Sequence, residues 1–124
     1  MDIIEVRLYF LSKPHTEESL PFDDTTLVFK VMGKMFGLLS LDEPVYPSIN
    51  VKCDPELAIE LREKYACVKP GYHMNKQLWN TITLDGSVKD AMIKEWIDHS
   101  FDEVVKKFTK KMKILMEQVE RGNE

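Results

Sequence analysis

The sequence predicts an α+β fold with an antiparallel sheet, and three observations carry that prediction. Apolar residues recur at helical spacing near both ends of the chain and once in its middle. Between these runs lie segments rich in β-branched residues whose apolar and polar positions alternate. Glycine, proline or an acidic turn marks most of the junctions. A length of 124 residues with 44% hydrophobic content suits one domain, 1–124, whose core needs no metal or disulfide.

Asp2 and Glu5 have the spacing of an acidic capping pair, and Ile3, Val6, Phe10 and Leu11 follow at helical spacing. This helix should stop by Ser12, because Pro14 disfavours helical geometry at Lys13. Residues 15–24 are polar and irregular, and His15 reads there as a solvated loop histidine. Residues 25–31 form a strand, with Leu27, Phe29 and Val31 on one face and Thr26, Val28 and Lys30 on the other. Met32-Gly33 supplies a tight turn, residues 34–41 return as the second arm of a hairpin, and Gly37 signals a bulge or a close backbone approach. After the turn Asp42-Glu43-Pro44, residues 48–53 alternate again as a third strand.

Asp54-Pro55-Glu56 opens a second helix: a capping carboxylate, a proline where its missing N–H is harmless, and an acid near the positive end of the dipole. Leu57, Ala58, Leu61 and Tyr65 mark its buried side, with Glu60, Arg62, Glu63 and Lys64 toward solvent. Residues 68–74 and 78–84 are the fourth and fifth strands, the latter closed by Asp85-Gly86. Ser87 and Asp90 open a further helix. Ser100 and Glu103 repeat the capping pattern, so a bend near His99 is expected. Phe101, Val104, Val105, Phe108, Met112, Leu115 and Val119 keep the helical period beyond it.

A net charge of -4, with charge of both signs throughout, removes any general attraction to polyanions, so a nucleic-acid surface must be local. No run of apolar residues is long enough to cross a bilayer, and the start Met1-Asp2-Ile3-Ile4-Glu5 lacks the basic region of a signal peptide. A cytoplasmic protein with no membrane partner is expected. Cys53 and Cys67 flank the second helix, about 16 Å apart at its rise per residue. A disulfide spans at most about 7 Å between Cα atoms, so two free thiols follow.

Catalytic chemistry finds little material. His15, His73 and His99 fall in separate elements without metal-ligand spacing, and there is no glycine-rich phosphate loop, nucleophile elbow or Cys-x-x-Cys pair. Neither an enzyme, a metal nor a cofactor is expected. Binding chemistry concentrates in Lys69-Pro70-Gly71-Tyr72-His73-Met74-Asn75-Lys76-Gln77-Leu78-Trp79-Asn80-Thr81, where bases and amides adjoin aromatic rings. The same stretch admits a packing reading, with Tyr72, Trp79 and Met74 in the core. A second cluster, Lys106, Lys107, Lys110, Lys111 and Lys113, fits either a solvated helix face or a polyanion contact.

Several segments resemble the MmcQ/YjbR family of small bacterial proteins: Pro21-Phe22-Asp23, Thr26-Leu27-Val28-Phe29-Lys30-Val31-Met32-Gly33-Lys34-Met35-Phe36, Ser40-Leu41-Asp42-Glu43-Pro44, Lys52-Cys53-Asp54-Pro55-Glu56 and Pro70-Gly71-Tyr72-His73-Met74-Asn75-Lys76. The resemblance covers nearly the whole chain. It implies a two-layer α-β-β-β-α-β-β-α arrangement, CyaY-like or secretion-chaperone-like, with a five-stranded sheet and helices on one face. It also implies DNA binding through a double wing of β-hairpins, here the Met32-Gly33-Lys34 turn and the connection 71–77. Phe108-Thr109 stands where the family commonly has Leu-Pro, so the last helix is expected to run on to about residue 120.

The leading expectation is therefore a noncatalytic DNA-binding protein. Lys34, Lys69, Lys76, Lys106, Lys107, Lys110 and Lys111 would meet phosphates, and Tyr72, His73, Asn75 and Trp79 would line or shape the contact face. The alternatives are a protein or peptide adaptor using the sheet face, and a small-molecule pocket around Tyr72, His73 and Met74. A monomer or weak dimer is expected. The DNA reading requires this acidic chain to segregate its cations.

Overall fold

A computed structural model describes residues 1–43, 45–72 and 74–122, with the side chains of the last four excepted. Its elements, in order, are α1 (Ile3–Leu11), β1 (Thr16–Ser19), β2 (Thr26–Val31), β3 (Lys34–Ser40), β4 (Ser48–Lys52), α2 (Pro55–Lys64), β5 (Val68–Pro70), β6 (Trp79–Thr83), α3 (Asp90–Val105) and α4 (Lys110–Gly122). The strands form one antiparallel sheet in the order β1-β2-β3-β4-β6-β5. The expected class holds, with six strands in place of five. The additional one, β1, has no apolar alternation to betray it. It is an edge strand whose Thr16–Ser19 backbone pairs with Val31–Val28 of β2, while Glu18 accepts from Arg7 Nε at 2.7 Å. Charged edge residues of this kind discourage pairing with other chains.

Local signals account for most of the boundaries. Asp2 and Glu5 exchange both hydrogen bonds of a capping box at the start of α1, and Asp54 caps α2 ahead of Pro55. Met32 and Gly33 both take positive φ, as a two-residue hairpin turn requires. β5 ends early, at Pro70, where the ladder loses a donor.

The helical end departs from expectation. α3 continues through His99 without a bend, because Ser100 is not a cap: its Oγ donates to the Phe36 carbonyl at 2.5 Å and accepts from Lys52 N at 2.7 Å. The interruption comes at residues 106–109, and α4 restarts with Thr109 Oγ1 accepting from Met112 N at 3.2 Å. The last helix is thus a separate element rather than a continuation.

α1, α2 and α3 cover one face of the sheet. Val6 and Phe10, Ala58 and Leu61, and Ile93, Trp96, Ile97 and Phe101 pack on Phe29, Leu39, Ile49, Val51, Val68 and Ile82. Met112 and Met116 of α4 lie against the same core. α1 and α3 are tied at Asp98, whose Oδ1 accepts from Tyr9 Oη at 2.6 Å and from Lys13 Nζ at 2.9 Å. Burial, then that carboxylate, pushes the Tyr9 phenol up to about 12. Cys53 and Cys67 are both free and buried, and burial lifts the Cys53 thiol to about 12, leaving it unreactive near neutrality.

The centre of the core depends on an absent side chain. Phe10 stacks on Phe29 at 4.4 Å between ring centroids, and a Cβ at Gly37 would lie 2.1 Å from the Phe10 ring. The register shifts beside it: Phe29 pairs with Gly37 but Lys30 pairs with Met35, so Phe36 is the extra residue of a bulge and also points into the core. Both signals anticipated at Gly37, the bulge and the close approach, are realised. Gly37→Ala is expected to destabilise the protein by about 1–3 kcal/mol through overpacking, read as a lower urea midpoint with an unchanged slope.

Candidate functional site

The strand registers fix which residues share an end of the sheet. The β2–β3 turn with Lys34, the end of β4 with Lys52 and the start of β6 with Trp79 lie together, because Val31 pairs with Lys34, Gly37 with Val51 and Lys52 with Trp79. Ser100 binds the backbone of Phe36 and Lys52, which brings the C-terminal part of α3 to the same end, with Lys106 and Lys107 just beyond it. Lys52 feels this gathering: burial first, then Lys107 and also Lys106, hold its ammonium below the usual lysine range, while Glu103 pulls the other way. Glu103 is itself engaged by Lys106, and beside it His99 Nε2 accepts from Asp54 N at 3.1 Å.

The opposite end carries the loops with Asp23 and Asp24, Asp42 and Glu43, and Asp85, together with Asp90 at the start of α3. Asp90 pairs with the amino terminus at 3.1 Å. That end is acidic, whereas the hairpin end is mixed: Asp54 and Glu56 follow Lys52 at the start of α2, and Glu103 lies beside Lys106.

The connection from β5 to β6 is built by side chains acting on backbone. Gly71 N donates to the Trp79 carbonyl at 2.8 Å, and a Cβ at Gly71 would approach Trp79 Cβ to 2.7 Å. Asn75 Oδ1 accepts from Gln77 N at 2.9 Å, and the Asn75 carbonyl accepts from Leu78 and Trp79. Lys76 Nζ donates to the Gly71 carbonyl at 3.2 Å. Tyr72 N donates to Thr81 Oγ1 at 2.9 Å, folding the segment over the outer face of the sheet.

Arg62 is the tie that sequence reasoning missed. Its helical position placed it toward solvent, yet it reaches back to donate to Asn80 Oδ1 at 2.6 Å, to the Trp79 carbonyl at 3.2 Å and to the Lys76 carbonyl. Asn80 is buried and also donates to the Ala58 carbonyl at 3.4 Å. A buried amide facing an arginine one helix away has no periodic signature; only the pairing of α2 with β6 creates it.

The expected contact residues separate accordingly. Lys34, Lys69, Lys76, Lys106, Lys107, Lys110 and Lys111 are exposed, as is Tyr72. Lys69 sits on edge strand β5 opposite Thr81, away from the hairpin tip. Asn75 spends its carbonyl oxygens inside its own turn. Trp79 is only 7% exposed, packed with Val28 and Leu38 under Met35, Met74 and Leu78, so it shapes the outer face from below and offers no ring to stack on. His73 lies outside the described residues.

The outer face, opposite the helices, is concave. A cavity of about 650 Å³ has Leu38 and a polar floor of Thr26, Ser40, Ser48, Asn50, Thr81 and Thr83. Phe22, Tyr46 and Tyr72 stand around it with Met74, as do Asp23, Asp42 and Glu43. An adaptor using this face would be favoured by a concave apolar patch without adjoining positive charge; the hollow pairs apolar walls with a hydroxyl and amide floor, and no lysine or arginine is among its described lining residues. Among the described residues no His, Cys, Asp and Glu cluster could hold a metal ion, and no helix is long and apolar enough to cross a membrane.

An open antiparallel sheet sealed by helices on one side and hollowed on the other defines a two-layer α+β protein. The chain belongs to the YjbR family, whose model matches residues 11–103. It is 35% identical to Escherichia coli K12 protein YjbR over 105 residues, 85% of this chain and 88% of that protein. It is also 36% identical to YbdF of Escherichia coli O157:H7 over 95 residues, 77% of each chain. A crystal structure of a Deinococcus radiodurans protein superposes with a TM-score of 0.86 at 37% identity, covering 93% of this chain and 87% of that one. A Pseudomonas syringae crystal structure gives 0.69 at 27%, covering 81% and 96%.

Removing the Arg62 tie should loosen the β5–β6 connection. Arg62→Ala is expected to lower stability by about 1.5–3 kcal/mol, the range for hydrogen bonds to a charged group. Faster amide exchange at Leu78 and Trp79 than at Ile49 would mark the loss as local.

Proposed function

We propose that this protein is a noncatalytic DNA-binding protein whose contact surface is the hairpin end of the sheet. The observation that carries the reading is the convergence of Lys34, Lys52, Lys76 and Lys107 on that end, while the loops bearing Asp23, Asp24, Asp42, Glu43 and Asp85 gather at the other. The approach to a polyanion rests on the exposed ammoniums of Lys34, Lys76 and Lys107 at this end, which they share with Asp54 and Glu56 at the start of α2. The Met32-Gly33 turn is the wing, held to the rest of the hairpin by its register, and Lys110 and Lys111 extend the cationic surface along α4. Lys106 contributes less, being engaged by Glu103.

Fluorescence anisotropy with a short labelled duplex tests this. Neutralising roughly four phosphates gives a slope of about -4 for log affinity against log salt. Lys34→Glu combined with Lys107→Glu should weaken binding by at least about tenfold and flatten that slope, whereas Asp24→Asn at the far end should leave both nearly unchanged. Absence of binding at low salt, or an affinity indifferent to salt, overturns the proposal.

A further inference from the structure

The concavity on the outer face is set toward the acidic end of the sheet and meets the hairpin end only through the connection 71–78, and its chemistry is of the opposite sign. Phe22, Tyr46 and Tyr72 leave 67%, 49% and 69% of their surface in water around it. Three large rings exposed about one hollow are costly for a soluble protein unless something covers them. Asp23, Asp42 and Glu43 line the same hollow, and no lysine or arginine does among its described lining residues. Asp23 is committed to its own turn, accepting from Thr25 N at 2.9 Å and Thr26 N at 2.8 Å. Glu43 accepts from Ser48 Oγ at 3.3 Å and keeps its other carboxylate oxygen available, while no described group hydrogen-bonds or ion-pairs with Asp42.

The floor narrows the class of occupant. It belongs to β2, β3, β4 and β6, all interior strands whose backbones already pair on both sides, so a peptide cannot add there as a further strand. Hydroxyls and an amide at its base favour a ligand with a few donors over a purely aliphatic one. Three carboxylates reject an anion, and aromatic faces beside carboxylates are the usual surroundings of an organic cation. The volume lies within the range of small-ligand pockets.

We propose that this concavity binds a small organic cation, an ammonium or guanidinium group on an apolar body, with Asp42 and Glu43 meeting the charge and Phe22, Tyr46 and Tyr72 enclosing the apolar part. The residues that would meet the cation, Asp42 and Glu43, are not among those that would meet DNA, so either assignment can fail alone.

Phenethylamine serves as the probe, with its uncharged N-acetyl derivative and phenylpropionate as size-matched controls, each titrated into the isotope-labelled full chain and followed by amide chemical shifts. The amine should move Asn50, Thr81 and their neighbours and bind at least about fivefold more tightly than either control. Asp42→Asn with Glu43→Gln should reduce it to the level of the neutral derivative while the remaining amide spectrum stays folded. Tyr46→Ala should weaken the amine and the neutral derivative alike, because it removes an apolar wall and no charge. Equal or tighter binding of phenylpropionate, shifts confined to other surfaces, or no shift at millimolar amine overturns the assignment.

Discussion

The contact between Phe10 and Gly37 sets the layering of this molecule. With no Cβ on Gly37, the ring of Phe10 descends onto the sheet, stacks on Phe29 and meets Phe36 edge-on at 5.7 Å. Phe36 in turn meets Phe101 edge-on at 5.3 Å, so one aromatic chain joins α1, the hairpin and α3. Interiors are close-packed, and a junction of this kind holds both helices to one face with little room for adjustment. The other face is left uncovered as a result, and its hollow exists because every helix that packs on the sheet packs on the opposite side.

Strand direction sorts the connections as face sorts the packing. Antiparallel pairing sends alternate connections to opposite ends, and in this chain one end carries mostly carboxylates while the other joins the lysines of the hairpin turn and the α3–α4 junction to Asp54 and Glu56 at the start of α2. Neither property appears in the net charge. The two candidate surfaces thus follow from different parts of the same geometry, one from the ends of the strands and the other from the outward half of their side chains.

Most of the frame was legible because its signals are local. Asp2 with Glu5, Asp54 with Pro55, Met32-Gly33 and the alternation in residues 25–31 each act within a few residues of their own position. What escaped was created by pairing between distant segments. β1 is held by backbone bonds to β2 and needs no apolar pattern; Ser100 looked like a cap and instead bridges two strands; Arg62 looked solvent-facing and instead anchors the connection to β6. The lysines of the candidate DNA surface were visible as residues, but their common end required the registers. The hollow was less legible still, since Phe22, Tyr46 and Tyr72 are far apart in sequence and meet only where three connections rise around the floor.

The bulge at Phe36 has an evolutionary corollary. Because it places two successive residues, Phe36 and Gly37, on the helix side, it resets the parity of β3 between its tip and its base. Losing a single codon there would turn the tip inside out, sending Met35 toward the helices and Lys34 toward the hollow side, while the base stayed as it is. Length changes in this arm should therefore be purged far more strictly than substitutions, making the spacing from Gly33 to Gly37 a more durable signature of the fold than most of the side chains between them.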